Sequence, residues 1–293
     1  MTGPERAGPV LDVAGLGVRV GGRDVVAGLG LRLAAGEVTA LVGRSGSGKS
    51  LTARALIGLL PDGARARGSA LLDTGAGVHD LLGLPAHRLR TLRGSGIGYV
   101  FQEAQASLNP TVTVGTHVRE TLAAHGVPRA LRRGRGLAAL SEAGIAGPER
   151  IWAARPFELS GGQAQRVALA LACVLDPRLL IADEVTSALD PVTQARVLDL
   201  LRDRTAGTGR ALLLITHDLA VAGRWADRVA VLDGGRIVEN GPADAVLGAP
   251  AHPFTAALVR AAGGLGRPGD GGEACDEGRR RLEAAPQAER GAS

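Results

Sequence analysis

The residues with the clearest chemistry lie in one glycine-rich segment that ends in Lys49 and Ser50, and Lys49 is the only lysine of the chain. A compact ammonium can reach between a β- and a γ-phosphate, which a broad planar guanidinium cannot do in a tight loop. Glycines let backbone N–H groups converge on phosphate oxygens, and the Ser50 hydroxyl can ligate Mg²⁺. The segment therefore predicts a loop that binds a nucleoside triphosphate. The predicted contact residues are Gly43, Arg44, Ser45, Gly46, Ser47, Gly48, Lys49, Ser50 and Leu51.

Two acidic residues follow an apolar run that is predicted to be a buried strand. Asp183 is predicted to hold Mg²⁺ through water, and Glu184 to orient or deprotonate an attacking water molecule. His217 follows another apolar run and can contact a γ-phosphate, while Gln102 can reach both Mg²⁺ and the attacking water. Alone, such residues are usually surface residues at strand ends. With the phosphate loop upstream, the catalytic interpretation of Asp183 and Glu184 is the stronger one, whereas His217 and Gln102 are weaker candidates by themselves. The predicted metal ligands are Ser50, Gln102 and Asp183.

A second candidate anion site precedes a stretch of helical composition that begins at Ala164. A serine hydroxyl, a glycine backbone and the positive end of a helix can together bind an anion. The same residue types also make an ordinary capped helix start, because serine is a preferred N-cap residue. Both interpretations stay open from the residues alone. The four residues of this segment are Ser160, Gly161, Gly162 and Gln163.

The elements that must position these residues follow from the apolar runs. Glu37 to Val42 is predicted to be a buried strand leading into the glycine-rich loop, and Leu51 to Ile57 a helix after it. Further buried strands are predicted at Leu179 to Ala182, Ala211 to Ile215 and Val229 to Leu232. Strands that alternate with helices favour a parallel sheet covered on both faces, so the predicted fold class is α/β.

Three other regions differ in pattern. Residues 10–42 alternate apolar and polar residues between glycines, which predicts short antiparallel strands. Residues 115–158 carry helical periodicity broken by glycine and proline, which indicates a mainly helical insertion. From about residue 263 onward the chain has little apolar content, and a disordered tail is predicted for 263–293.

The composition argues against several other classes of protein. The net charge is +5, but the arginines are scattered and aromatic residues are 2% of the chain, so no base-stacking surface and no nucleic-acid partner are expected. The two cysteines form no metal or disulfide pattern. Apolar runs stay shorter than the roughly 18 residues of a spanning helix, and the start lacks the order of a signal peptide. We expect a soluble protein that reaches a membrane through a partner.

Taken together, these segments resemble the ATPase subunit of an ABC transporter. The resembling segments are Walker A (Gly43 to Ser50), the Q-loop around Gln102, the signature (Leu159 to Gln163), Walker B (Leu179 to Glu184), the D-loop (Ser187 to Asp190) and the switch histidine (His217). The resemblance implies an ABC ATPase domain over residues 10–262. That domain would be a P-loop NTPase core with a mainly parallel sheet, an antiparallel β subdomain and a helical subdomain at about 115–175. ATP and Mg²⁺ are the implied ligands.

The resemblance also implies a mechanism. Two such domains stack head to tail, and each ATP lies between the Walker A loop of one and the signature of the other. Ser160, Gly161 and Gly162 would then act in trans, which explains a segment that a single chain does not need. Hydrolysis releases the pair, and the motion drives a membrane permease that contacts the helical subdomain.

A narrower resemblance concerns the cargo. The segment from Phe101 to Pro110, and the stretch from His252 to Leu258, are similar to segments of dipeptide, oligopeptide and nickel import ATPases. The implied function is ATP hydrolysis that powers import of peptides or nickel, at the cytoplasmic face of the cell membrane. Implied partners are permease subunits, a second ABC ATPase and, indirectly, a solute-binding protein. The import branch often pairs two different ATPases, which favours a heterodimer.

The chain departs from the family pattern at three places. Val20 stands near the position of an aromatic residue that stacks on adenine, a loss of about 1–2 kcal/mol by analogy with aromatic contacts. Val185 replaces a common proline. Cys275 alone cannot make the cysteine cluster of many peptide-import subunits, so no iron–sulfur centre is predicted.

Two other functions remain as alternatives. A soluble ABC ATPase that serves a non-transport assembly, of the phosphonate-degradation type, has a core that resembles the same import branch. An inactive, nucleotide-binding half of a heterodimer is disfavoured, because Glu184, His217 and the signature are all intact.

Overall fold

Residues 8–186 and 189–263 are described by a computed structural model of the chain. Ser187 and Ala188 of the predicted D-loop lie outside these residues, as do Cys275 and the predicted tail beyond Gly263.

The described residues form strands and helices in an alternating order. In chain order these are β1 (Leu11–Val20), β2 (Arg23–Leu33), β3 (Val38–Val42), α1 (Lys49–Leu56), β4 (Arg65–Asp73), β5 (Val78–Asp80), α2 (Ala86–Leu92), β6 (Ile97–Val100), α3 (Val114–Ala124), α4 (Arg129–Glu142), α5 (Pro148–Ala153), a 3₁₀ turn (Pro156–Glu158), α6 (Gly161–Cys173), β7 (Leu179–Asp183), α7 (Pro191–Thr205), β8 (Ala211–Thr216), α8 (Leu219–Trp225), β9 (Arg228–Asp233), β10 (Arg236–Pro242), α9 (Ala243–Gly248) and α10 (Pro253–Ala261).

The central sheet has the strand order β10-β9-β3-β8-β7-β6. All neighbours in it run parallel except β10, which pairs antiparallel with β9 at one edge. Every residue of β3, β7 and β8 is buried, because helices or the second sheet cover both faces. This explains why these strands appear in the sequence as unbroken apolar runs. The predicted α/β class with a mainly parallel sheet is confirmed.

The register of the parallel strands brings the functional segments to one edge. Val42 of β3 lies opposite Thr216 of β8, and Asp183 of β7 lies opposite Ile215 of the same strand. Parallel strands present their carboxyl ends on the same side of a sheet, which is where ligands bind in open α/β folds. The glycine-rich loop, the acidic pair and His217 therefore emerge side by side.

A second, antiparallel sheet has the order β2-β1-β4-β5. Its inner face shares one apolar cluster with α1 and with one face of the central sheet, including Leu16, Leu41 and Leu56. Strands β4 and β5 extend this sheet beyond the 10–42 region in which antiparallel strands were expected. The glycine-rich loop lies between the two sheets.

Helices α3 to α6 pack around an apolar cluster of their own. Trp152 of α5 is 5% exposed and lies against two glycines, where an added Cβ would come within 2.4 Å of its ring, at Gly115 and at Gly136. The guanidinium groups of Arg119 and Arg133 lie 5.7 and 5.8 Å from the centre of the same ring. One large aromatic side chain therefore joins α3, α4 and α5. Across the described ranges, we find no helix with both the length and the apolar character that crossing a bilayer requires.

The contact between Trp152 and Gly136 yields a stability prediction. Gly136→Ala places a methyl group against the indole and Val118, which the packed cluster cannot absorb without moving. We expect a loss of about 1–3 kcal/mol in the free energy of unfolding, measured by urea denaturation.

Gly134→Ala is the matched control, because it lies in the same helix and a methyl group added there would point into open space. Alanine favours a helix over glycine by up to about 1 kcal/mol, so this variant should be as stable as the parent or more stable. Equal stability of the two variants would contradict the proposed role of Trp152.

Candidate active site

The glycine-rich loop connects β3 to α1, and its path requires glycine at two positions. A Cβ on Gly43 would lie 2.2 Å from the Leu232 carbonyl oxygen, so no side chain fits there. Gly48 has a φ of 105°, and a Cβ there would lie 2.9 Å from Val26. The loop thus runs directly against β9 and β2.

Lys49 is held inside this loop. Its Nζ donates to the carbonyl oxygens of Gly43 at 2.9 Å and Arg44 at 3.1 Å, and the residue is 5% exposed. Burial lowers the pKa of the Lys49 ammonium, and the nearby carboxylates of Glu184 and Asp183 act in the opposite direction. An ammonium enclosed by a glycine loop beside two acids is placed to meet a polyanion.

The Ser47 hydroxyl gives a second indication of what the loop binds. Its Oγ is buried and has no hydrogen-bond partner among the described residues. A buried hydroxyl without a partner is costly, so such a group usually serves a ligand or an ordered water. Within a loop of converging backbone N–H groups, a phosphate oxygen satisfies it.

Asp183 links the loop's helix to two strands. Its Oδ1 accepts a hydrogen bond from the Ser50 hydroxyl at 3.0 Å, and its Oδ2 accepts one from the Tyr99 phenol at 2.7 Å. The carboxylate is 4% exposed. A hydroxyl and a carboxylate oxygen side by side are ligands that suit Mg²⁺, which keeps several waters and uses few protein ligands. Within the described ranges, no group of three or more His, Cys, Asp or Glu residues could hold a metal ion.

Glu184 is the point where the other predicted catalytic residues meet. The Gln102 amide donates to its Oε2 at 3.1 Å, and His217 Nδ1 lies 3.4 Å from its Oε1. Its backbone has a φ of 48°, which is unusual for a residue with a side chain. A cavity of about 150 Å³ beside it is also lined by Thr216 and His217. The structure therefore brings Glu184, Gln102 and His217 together.

The predicted metal set is brought together only in part. Ser50 and Asp183 are in direct contact, whereas the amide of Gln102 is bonded to Glu184. Tyr99 was not among the residues predicted for the site, although it binds Asp183. Its sequence position, in a strand three residues before Gln102, was a signal, but only the pairing of β6 with β7 shows that it faces the acidic pair.

The signature segment forms a capped helix start in this chain. Ser160 Oγ accepts from the Gln163 backbone N–H at 3.3 Å, and Gln163 Oε1 accepts from the Ser160 N–H at 3.0 Å. Ser160 and Gly161 are exposed. Among the described residues, no hydrogen bond links the segment to the glycine-rich loop. The contact of Ser160, Gly161, Gly162 and Gln163 with a nucleotide in trans stays a prediction.

The fold and this sheet edge define a P-loop ATPase. The family model described as "ABC transporter" matches residues 26–187. The chain belongs to the ABC transporter family, and it is an ABC ATPase domain.

Several curated relatives are similar to it over most of its length. The chain is 45% identical to the peptidoglycan transport ATP-binding protein YejF of Agrobacterium fabrum over 75% of its residues and 40% of the relative. It is 42% identical to the oligopeptide transport ATP-binding protein OppD of Mycobacterium tuberculosis, over 86% of this chain and 39% of the relative. It is 40% identical to the dipeptide transport ATP-binding protein DppD of Escherichia coli, over 75% of this chain and 67% of the relative. The chain thus spans about two fifths of the first two relatives.

Solved structures agree with the fold. A dimeric ATP-binding cassette in a post-hydrolysis state, bound to ADP and Pi, matches with a TM-score of 0.69 and 27% identity, over 80% of this chain and 98% of that one. CbiO1 of Clostridium perfringens, described as part of an ABC transporter complex, matches with a TM-score of 0.70 and 29% identity, over 83% and 92%.

The capped helix start yields a prediction for the isolated chain. Ser160→Ala removes the acceptor for the Gln163 N–H and should lower the free energy of unfolding by about 1 kcal/mol in urea denaturation. Ser160→Asp retains a good N-cap acceptor and should be as stable as the parent. A stable Ser160→Ala variant would contradict the cap.

Proposed function

We propose that this chain is the ATP-hydrolysing subunit of an ABC importer for peptides, bound to the cytoplasmic face of a membrane through its permease. The observation that carries the proposal is the meeting of Gln102 and His217 on Glu184, next to the contact between Ser50 and Asp183. A site that had lost hydrolysis would be expected to lack one of these residues. The peptide cargo is proposed from the names of the relatives, which are described by peptide or peptidoglycan transport.

The ATP phosphates fit the glycine-rich loop for three reasons. Lys49 supplies a buried cation, Ser47 a hydroxyl without a partner among the described residues, and α1 a positive helix end. Mg²⁺ fits Ser50 and Asp183 because both offer oxygen ligands. When bound, Mg²⁺ would neutralise charge between the β- and γ-phosphates.

The proposed chemistry is attack of water on the γ-phosphorus. The new bond forms from the water oxygen, the bond from the γ-phosphorus to the bridging oxygen breaks, and ADP and phosphate leave. Glu184 takes the water proton on a carboxylate oxygen, which makes it the general base. Gln102 orients this carboxylate by its hydrogen bond, and His217, whose Nδ1 lies 3.4 Å from Glu184, would also contact the γ-phosphate.

Dimerisation is part of the proposal. Ser160 and Gly161 at the N-terminus of α6 are exposed, and no hydrogen bond among the described residues joins them to the phosphate loop of their own chain. In a head-to-tail pair, Ser160 and Gly162 would bind the γ-phosphate held by the other chain. The second chain is a related ATPase or another copy.

The partner surface we propose is the cleft between β6, α3 and α6. It has a volume of about 410 Å³ and is lined by apolar side chains, among them Phe101 and Leu171, with Glu120 and His117 at α3. Because Arg93 also lines the cleft and offsets the charge of Glu120, a mainly apolar permease segment would fit it. The cargo itself would be recognised by a solute-binding protein outside the membrane, which would interact with this chain only through the permease. No nucleic acid is part of the proposed function.

Nickel as the cargo, and a non-transport complex of the phosphonate-degradation type as the assembly, have less support. The three relatives named above are described by dipeptide, oligopeptide or peptidoglycan transport, so peptides are proposed ahead of nickel. No comparison favours the non-transport accessory function.

The assignment of Glu184 leads to a kinetic prediction. Glu184→Gln keeps the shape of the side chain but cannot accept a proton, so ATP turnover should fall by at least about 100-fold while ATP binding persists. Turnover is measured by phosphate release, and binding by a fluorescent ATP analogue. Gel filtration with ATP and Mg²⁺ should show a dimer of the variant. Near-normal turnover would remove Glu184 from the role.

Two further variants accompany this experiment: the first is a control for turnover, and the second tests the contact across the dimer. Asp218→Asn alters another acid beside the same cavity but keeps a good N-cap for α8, so turnover should stay within about twofold. Ser160→Asp, added to Glu184→Gln, should abolish the ATP-dependent dimer, because its charge opposes the γ-phosphate across the interface. A dimer that persists would contradict the trans contact.

The transport assignment is tested by identifying the proteins that bind this chain in its native membrane. Tagged protein purified from detergent-solubilised native membranes should bring down two multi-span permeases and a second ATPase, identified by mass spectrometry. Leu171→Glu puts a charge in the cleft and should abolish this recovery, whereas Leu131→Glu, at a site already 50% exposed on α4, should not. Recovery of soluble enzymes only would overturn the transport proposal.

A further inference from the structure

Tyr99 is the only tyrosine of the chain, and it lies next to the acidic pair. Strand β6 pairs in parallel with β7, with Tyr99 opposite Ile181 and Val100 opposite Ala182. The phenol therefore reaches the end of β7, where it donates to Asp183 Oδ2 at 2.7 Å. Burial and the neighbouring Asp183 raise the pKa of Tyr99, while Arg54 of α1 acts in the opposite direction. The phenol stays a proton donor at neutral pH.

This hydrogen bond fixes the orientation of the metal carboxylate. Ser50 donates to one oxygen of Asp183 and Tyr99 to the other, so rotation of the carboxylate would break both bonds. Without the phenol hydroxyl, a buried carboxylate oxygen would lose its donor, and the hydrogen bond from Ser50 alone would hold the group. Groups that orient a metal ligand in this way contribute to metal affinity although they do not touch the metal.

The same tyrosine also lines the cleft between β6, α3 and α6. Its ring belongs to the wall that includes Phe101, Ala168 and Thr121, and the centres of the Tyr99 and Phe101 rings are 4.5 Å apart. One side chain therefore has its ring in the cleft and its hydroxyl on Asp183. Gln102, by contrast, is bonded to the other acid, Glu184.

We propose that Tyr99 is a positioning residue for Asp183, and that it makes the orientation of this metal carboxylate sensitive to what occupies the cleft. The inference rests on the proposed function, because it requires hydrolysis of Mg²⁺-ATP at this site. An occupant of the cleft that displaces the Tyr99 ring also displaces the Tyr99 hydroxyl. Because this hydroxyl is hydrogen-bonded to Asp183, the carboxylate changes its orientation as well. Metal binding would thereby depend on docking at the cleft.

The first test is Tyr99→Phe in the full chain, which removes the hydroxyl and keeps the ring. In ATPase assays over a MgCl₂ titration, the Mg²⁺ concentration for half-maximal rate should rise about 10-fold. Binding of a fluorescent ATP analogue in EDTA and the melting temperature should not change. Phe254→Leu is the control, since it alters an aromatic ring of α10 that does not line the cleft, and its Mg²⁺ dependence should equal that of the parent.

The outcomes separate the inference from the function on which it depends. A parent protein with no Mg²⁺-dependent ATPase activity overturns the proposed function and the inference together. An active parent with an unchanged Mg²⁺ dependence in Tyr99→Phe overturns the inference alone. Weaker binding of the ATP analogue in EDTA and a lower melting temperature, with no specific change in Mg²⁺ dependence, would assign Tyr99 a structural role. That result would also overturn the inference.

The link to the cleft has a separate test. Thr121→Trp on α3 adds a large side chain to the lining of the cleft. It should shift the Mg²⁺ dependence of the parent by at least about threefold, less than the roughly 10-fold effect of losing an orienting contact. In the Tyr99→Phe background the same substitution should cause no further shift. Equal shifts in both backgrounds, or none in the parent, would overturn the connection.

Discussion

The buried carboxylate of Asp183 ties together the parts of the molecule on which the site depends. It receives hydrogen bonds from α1 through Ser50 and from β6 through Tyr99, and it ends β7, the strand between β6 and β8. A charged group this deeply buried is tolerated only when its oxygens are satisfied, so both donors must be in place whenever the core is folded. The same pair of bonds leaves the carboxylate facing the phosphate loop. Folding of the core and preparation of the proposed metal site are therefore one event.

The sheet register decides which residues meet around that carboxylate. The segments of the site come from positions as distant as Lys49, Gln102 and His217, and each follows the carboxyl end of a parallel strand. Parallel order requires long crossovers, and these crossovers carry the helices that cover the sheet. Space for the site arises because the loops diverge at this edge. Two groups of contacts result. Ser50 and Tyr99 donate hydrogen bonds to Asp183, and Gln102 and His217 contact Glu184.

The helical unit shows how a chain with few aromatic residues builds a second core. Trp152 packs against Gly115 and Gly136, and its faces are covered by two arginines, so it replaces several smaller side chains at the junction of three helices. The cleft between this unit and the sheet is lined by Tyr99 and Phe101, which lead directly to the acidic pair. Two of the six aromatic residues thus lie where the helical unit meets the sheet, and the Tyr99 hydroxyl connects this cleft to Asp183.

Local patterns were sufficient for part of this result. The class of fold, the phosphate loop around Lys49 and the acidic pair Asp183 and Glu184 could be predicted from sequence, because each depends on residues close together in the chain: a glycine spacing, an unbroken apolar run, an acid at its end. The capped helix at Ser160 was equally visible, as one of two interpretations. The predicted contact of Gln102 with Mg²⁺ stays a prediction, and the structure shows its amide nitrogen donating to Glu184.

The tertiary structure alone decided which distant groups meet. The pairing of β4 with β5 depends on strand order, and Trp152 packs on glycines of two other helices. The hydrogen bond from Tyr99 reaches Asp183, 84 residues away. Local periodicity encodes none of these contacts. A strand's apolar pattern states that it is buried, but its neighbours are chosen by the packing of the whole sheet. Hydrogen bonds between the ends of neighbouring strands therefore appear only once that order is known.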